Sequence, residues 1–461
     1  MLLLGAGNVV TFATAIVLSR TMSTSDFGRL SFAFTTSTML ALLARCGFDQ
    51  AVNYFFARYE DDPGTRKCLV NTSLRWTAGC GVTLSTILLL GASHIGAVAS
   101  VPWFEDDAPW IAATTLVFAL MQNQLAVVNA TGRSDIRSLL SYVVFPGIFF
   151  VSSLVAVGVG HTRLDTFLAL RIGAVGSAAL AAQGWLRHTV GGKTGQCSAS
   201  ASEHATWRRY ALVAVGTSIS VYLMENIDVL MVGAIKDEVH VATYAVAVRC
   251  VTPLLVLRLV VGAVIEPRVA SASHAGDDAR QRLLTVRTSE MMAIAVAFSV
   301  GAAISGRDLV PLVFGDAFSS SADALLWLAP AYGFYAWLGV GASVLMMTGA
   351  VRLELANSLA TLAFNVALNA VLIGPMGISG ASLATALSYG AIGLVRFFQT
   401  RRRLGWSFIT KGQLWAIALA TCIAAISELI ARIAAFRGAA LLAYLILAPP
   451  ALWIMLQRRP R

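Results

Sequence analysis

The sequence predicts an all-α polytopic membrane protein of about fourteen transmembrane helices: two six-helix lobes in a parallel repeat, plus two C-terminal helices. Three observations predict it. Of 461 residues, 57% are hydrophobic and only 13% charged, against about 25% charged in soluble domains; no soluble globule has an interior that hides so much apolar surface. The apolar residues fall in runs of about 20, the length that crosses a bilayer as a helix. Segments of the first half also reappear in the second at a nearly constant offset, the mark of an internal repeat.

Taken in order, the apolar runs place spans at 2–18, 27–48, 69–91, 110–131, 139–159, 164–187, 208–235, 240–265, 286–306, 323–349, 354–374, 378–400, 412–431 and 437–456. The first begins directly after Met1 without the basic stretch of a secretory signal, so it reads as a membrane helix. The second and sixth carry Arg45 and Arg171. Lys and Arg then set the orientation. With residues near a span's end counted to the adjoining loop, loops after even-numbered spans and the C-terminal tail hold 24 of the 34, loops after odd-numbered spans hold 7, and Arg171, Arg249 and Arg258 lie deeper within spans. This bias puts both termini in the cytoplasm. The loop SVPWFEDDAPW (100–110) has no Lys or Arg and falls outside, with Trp103 and Trp110 suited to the interface.

FGRLSFAF (27–34) resembles ATYAVAV (242–248), and NATGRSDI (129–136) resembles MMTGAVRL (346–353). Six spans per copy is an even number, so the copies share orientation and form a parallel repeat. The expected division is residues 1–187 as the N-terminal lobe, 188–207 as a polar, Gly/Ser-rich cytoplasmic linker, 208–400 as the second lobe, and 401–461 as the last two helices with a basic tail.

Several function classes are excluded. The net charge of +10 would suggest nucleic acid in a soluble protein, but here the cations flank apolar runs, so no nucleic-acid partner is expected. GGKT at 191–194 resembles the end of a phosphate-binding loop, yet the first glycine of that motif would stand where Arg187 is, and no strand precedes it. Six scattered cysteines predict neither a disulfide framework nor a zinc site. The six histidines show no metal-ligand spacing. No catalytic residue, metal or cofactor is expected, and the chain reads as a non-enzyme.

What remains is charge inside the membrane, which costs about 2.5–3.5 kcal/mol at a helix centre on insertion scales and marks function by default. Glu225 and Asp228 stand three apart on one face of the seventh span. Two readings stay open for them: an ion-coupling site, or counter-ions that lock helices by pairing with Arg249. Arg249 lies about eight residues into the eighth span, and a guanidinium fork suits phosphate oxygens. Arg45, Arg171 and Arg258 are candidates for the same cationic role, with Asp49 as a further ion-coupling or counter-ion candidate.

At this point several stretches resemble one family. LSRTMSTSDFGRLSFAF (18–34), GFDQAVNYFFARYED (47–61), NIDVLMVGAIKDEVHVATYAVAVR (226–249) and MTGAVRLELANSLATLAFNVALNAVLIGPMGISGASLATALSY (347–389) are similar to segments of polysaccharide flippases of the multidrug/oligosaccharidyl-lipid/polysaccharide exporter superfamily. The resemblance implies a V-shaped transporter with a central cavity and alternating access driven by an ion gradient. It implies export of a polyprenyl-pyrophosphate-linked oligosaccharide, for O-antigen, exopolysaccharide or capsule assembly, across a bacterial inner membrane, next to a glycan polymerase and other assembly proteins. Tyr244 to Arg249 matches a family pattern whose arginine faces the cavity. Lipid II flippases of the superfamily carry paired arginines where this chain has Leu40 and Ala41, which argues against lipid II. The alternatives are a cation-coupled drug or metabolite antiporter, which would favour an acidic, aromatic cavity, an integral-membrane glycan polymerase, and a non-transporting scaffold.

Overall fold

The computed structural model describes residues 2–98, 101–189 and 199–434. Among these it contains helices and no strand. Thirteen are long and apolar enough to cross a membrane, and they are numbered here as spans 1 to 13: Leu3–Thr21, Thr24–Ala44, Pro63–Val98, Phe104–Ala130, Ser134–Gly158, Leu164–His188, Ala201–Ile235, Glu238–Ser273, Asp278–Phe314, Ser321–Met347, Arg352–Met376, Ile378–Leu404 and Lys411–Leu429. The all-helical, multi-pass class is thus as expected. The fourteenth span, expected at 437–456, lies outside the described residues, as do GGKT (191–194) and most of the linker.

The helices outrun the apolar windows that predicted them. Span 3 begins at Pro63 rather than 69, span 7 at Ala201 rather than 208, and span 9 at Asp278 rather than 286. Each extension is mostly polar and is held by terminal chemistry, joined by buried Cys68 at span 3 and Trp207 at span 7. At span 7, Ser200 and Glu203 form a capping box that satisfies two backbone donors reciprocally. At span 9, the Asp277 side chain accepts from the Arg280 amide. Span 2 is shorter than expected. It ends at Ala44, because Cys46 and Gly47 both take left-handed backbone, φ 49 and 74, and a separate short helix, Phe48–Phe55, follows. Cys68 is disulfide-bonded, contrary to the reading of six unpaired cysteines.

Two compact units are resolved, the first Met1–Ala242 and the second starting at Thr243. In the first, span 4 is central and packs on spans 2, 3 and 6. Its interior is mostly small and apolar, with a buried polar link in which Ser73 donates to Asn123 Oδ1 at 2.8 Å and Asn123 Nδ2 donates to Thr77 at 2.9 Å. Span 7 belongs to this unit by packing. Its buried Gly233 lies under the Phe32 ring of span 2, and the Tyr222 hydroxyl donates to the Thr35 carbonyl at 2.8 Å. In the second unit span 10 is the most enclosed helix, 83% of its apolar window buried, and it packs on spans 9 and 12.

Candidate functional site

In the first unit Arg45 caps the end of span 2. The left-handed turn at Cys46–Gly47 brings Asp49 within reach, and Arg45 Nη1 donates to Asp49 Oδ2 at 2.7 Å. The two side chains are 17% and 11% exposed, and Arg45 Nε is buried without a hydrogen-bond partner. Arg171 on span 6 stacks on Phe34, guanidinium carbon to ring centroid 3.6 Å, with Phe145 at 5.6 Å. Aromatic faces stabilise a desolvated guanidinium by up to about 2 kcal/mol, which offsets part of its burial cost. Glu225 is half-buried and Asp228 buried, on the span whose Val229, Val232 and Gly233 are also buried.

In the second unit Arg249 is half-buried on span 8, among buried Val246, Ala247 and Val251. The helix starts at Glu238, so Arg249 lies one further half-turn from the end than expected. Arg258 lies 4.5 Å over the Tyr335 ring of span 10. It also lines a cavity between spans 8, 9 and 10, together with Glu266, Thr285, Thr288 and Ser343. The cavity measures about 30 Å³, room for about one water. Across it, the Ser343 hydroxyl donates to Glu266 Oε1 at 2.6 Å. Gly339 is required beside Arg258: a Cβ there would stand 2.5 Å from the Tyr335 carbonyl oxygen and 2.9 Å from the Arg258 guanidinium carbon.

The predicted residues therefore fall in separate places. Arg45 and Asp49 form one pair, Arg171 sits on an aromatic seat, and Glu225 and Asp228 share span 7, all in the first unit. Arg249 and Arg258 share span 8 in the second.

Two charged pairs escaped the sequence reading. Arg29 of span 2 clamps Asp107 of span 4 with two parallel bonds, Nε to Oδ2 at 3.0 Å and Nη2 to Oδ1 at 2.8 Å; Asp107 is buried. Arg396 of span 12, 2% exposed, pairs with Glu354 of span 11, Nε to Oε2 at 3.2 Å with a second bond from Nη2 to Oε1. One helical turn away Asn357 and Gln399 exchange amide bonds at 2.7 and 3.0 Å. Arg396 lies 6.0 Å from Tyr335, the ring that also carries Arg258, and Tyr335 stacks on Tyr389 at 4.2 Å. Spans 8, 10, 11 and 12 thus meet through one chain of cations, carboxylate and aromatic rings. The only sequence signal was spacing: Glu354 and Asn357, like Arg396 and Gln399, repeat at three residues.

With this geometry in hand, comparisons with known proteins are informative. A family model described as polysaccharide biosynthesis protein matches residues 1–273. A "probable low-salt glycan biosynthesis flippase Agl15" from Haloferax volcanii is 24% identical over 184 residues, covering 39% of this chain and 38% of that protein, so the match spans well under half of the relative's length. Among solved structures, a lipid II flippase MurJ in an inward closed conformation superposes with TM-score 0.76 at 10% identity, over 97% of this chain and 96% of that one. An inward-facing multidrug resistance MATE family transporter superposes with TM-score 0.71 at 14% identity, over 87% and 94%. At these identities the structural likeness speaks for the fold.

Proposed function

The chain belongs to the polysaccharide biosynthesis protein family, and from that premise we propose that it is a flippase that carries a polyprenyl-pyrophosphate-linked oligosaccharide across the cytoplasmic membrane. The problem to solve is passage of a diphosphate and a sugar through about 30 Å of hydrocarbon. The observation that carries the reading is guanidinium groups held inside an apolar bundle on aromatic faces, Arg171 on Phe34 and Arg258 on Tyr335. Stacking uses the face of a guanidinium, whereas phosphate binding uses its in-plane N–H fork. The two roles are compatible at one residue. Arg45 and Arg249 complete the cationic set, and the relative named as a glycan biosynthesis flippase supports a glycan cargo.

In this reading the lobes at 1–187 and 208–400 rock against each other to alternate access. Asp228, Glu225 or Asp49 binds a proton or sodium ion with different affinity in the two states, which is the condition for a gradient to drive the cycle. Both termini face the cytoplasm of a bacterial inner membrane, where a glycan polymerase and other assembly proteins would receive the product.

The test is flipping of a fluorescent polyprenyl-diphosphate saccharide in proteoliposomes. The expected result is protein-dependent transfer that an ion gradient accelerates and that Arg258→Ala slows at least about tenfold, the size of effect when a charge-assisted contact worth about 1.4 kcal/mol or more is lost. Equal rates with and without protein would remove the proposal. A cation-coupled drug antiporter is the second reading, favoured by the fold shared with a multidrug transporter; growth in cationic dyes, better with the gene than without it, would support it instead.

A further inference from the structure

A groove of about 590 Å³ opens in the first unit between the end of span 2 and span 3, and it lies apart from every residue assigned above except the turn after Arg45. Its lining includes Arg75, Trp76, Gly79, Cys80 and Thr83 of span 3, with Cys46 opposite. We infer that this groove binds one anionic phospholipid of the surrounding bilayer, its phosphate at Arg75 and an acyl chain along Gly79 and Thr83. The inference does not depend on the transported substrate.

Depth is the first argument. Span 3 has 36 residues, about 54 Å at 1.5 Å per residue, much more than a bilayer core. Residues 77–98 contain no Asp, Glu, Lys or Arg, and these 22 residues cover about 33 Å, enough for the core. Arg75 and Trp76 therefore sit at the boundary where headgroups lie, the place where tryptophan and arginine anchor helices. Trp76 is stacked on Phe48 at 5.8 Å with a 16° interplanar angle, which fixes it as one wall of the groove.

Charge is the second argument. Arg75 is exposed, and no carboxylate among the described residues lies within ion-pair distance of it. Lys67 stands about two turns further out on the same helix. A lone guanidinium at headgroup depth finds its counter-ion in lipid phosphate. A net negative headgroup gains from the Arg75 charge, whereas a zwitterionic one cancels its own.

Shape is the third. Just inside the boundary, span 3 presents Gly79, Cys80 and Thr83 in place of long side chains, and a Cβ added at Gly79 would meet nothing within 4 Å. Val82 and Ile87 nearby are exposed, 52% and 57%, so this part of the helix faces the hydrocarbon. An unfilled trough at that depth forfeits dispersion contacts along its length, and water has few polar partners there. An acyl chain fills it at about 0.8 kcal/mol per methylene buried.

Native mass spectrometry of the purified full chain tests this, with phosphatidylglycerol and phosphatidylcholine as competing probes. The expected result is one phosphatidylglycerol retained with at least about tenfold preference. Arg75→Gln should reduce that preference to about twofold or less. Gly79→Leu should remove the retained lipid whatever its headgroup, and since the site is open, its melting temperature should match wild type. Arg401→Gln, in the basic last turn of span 12, should retain the lipid unchanged. Equal retention of both lipids by wild type, or an unaltered preference in Arg75→Gln, would overturn the inference. So would displacement of phosphatidylglycerol by equimolar polyprenyl phosphate, which would give the groove to a carrier lipid.

Discussion

The Arg396–Glu354 pair is a charge pair whose burial outweighs its visibility. Taking two ions out of water costs several kcal/mol each, and mutual attraction repays that only with good geometry and further hydrogen bonds. Here the double contact and a bond from the Ser358 hydroxyl to Glu354 Oε1 at 3.4 Å supply part of them, while Arg396 Nη1 is buried without a hydrogen-bond partner. Removing one partner leaves the other charge buried and uncompensated. Glu354→Gln should therefore destabilise the protein by about 3–5 kcal/mol, read as a large fall in melting temperature in detergent. The double change Glu354→Leu with Arg396→Leu should recover most of that loss, because it leaves no charge behind. A Glu354→Gln protein as stable as wild type would mean the pair is not buried in the membrane-embedded state. Asp228 makes a contrasting case. It is 4% exposed on span 7, and if it carries the coupling ion, Asp228→Asn should abolish the gradient's acceleration of flipping while gradient-independent transfer persists. The sequence made Asp228 conspicuous because it sits mid-run. It hid Arg396, which stands five residues before Arg401–Arg402–Arg403 and reads there as one more basic residue at a helix end. Its burial depends on a partner 42 residues earlier in another helix, a relation that no local pattern carries. The i, i+4 pair Arg45–Asp49 needed only its own turn, and both members were legible.

At the scale of elements, small residues decide how spans 7 and 8 meet span 2 and the short helix after it. A Cβ at Gly28 would stand 1.8 Å from the Glu238 carbonyl oxygen, and one at Gly47 2.1 Å from that of Ala211. Backbones approach this closely only where side chains are absent, the usual way membrane helices gain packing without a hydrophobic driving force between them. Gly47 has a second constraint, φ 74, where a side chain costs about 1–2 kcal/mol. Gly47→Ala should accordingly lose more than about 2 kcal/mol of stability, the left-handed penalty plus the overlap. Gly79→Ala, in open helix, should be neutral or gain up to about 1 kcal/mol from helix propensity. Melting curves of the two variants in the same detergent check the contrast; equal midpoints would mean that span 7 does not press on the turn. Helix ends were the weakest part of the sequence reading, for physical reasons. An apolar window sees the hydrocarbon-facing portion of a helix and stops where capping chemistry takes over, as at Ser200–Glu203. It runs straight through Cys46–Gly47, because apolar Phe48, Ala51 and Val52 resume one turn later on the short helix.

For the whole molecule, class and span order came from composition and from run length alone, because a bilayer allows few solutions: every backbone polar group in it must be satisfied within a helix or a closed barrel. Orientation rests on something different, the placement of Lys and Arg. The two counts, 24 against 7, differ enough that burial of Arg396 leaves the bias intact. The structure adds a consistent detail. The segment before span 4 and that span's first turn carry Glu105, Asp106 and Asp107 without a cation of their own, and Asp107 is held by Arg29 from the start of span 2. Spans 2 and 4 run parallel in the expected topology, so their N-termini share one side. In the expected topology the other side carries Arg280, Arg282 and Arg287 at the start of span 9 and Arg401–Arg403 at the end of span 12. Moving such clusters across the membrane against its potential costs about 2.3 kcal/mol per charge per 100 mV, so a six-charge inversion is out of reach once the chain is inserted. Single cysteines introduced at exposed positions into a cysteine-free background read this directly. Glu105→Cys should react with a membrane-impermeant maleimide in intact cells. Arg282→Cys should react only after permeabilisation. The reverse pattern would invert the whole chain, put the cationic ends of spans 3, 9 and 12 outside, and require any cargo carrying a diphosphate to enter from the opposite face.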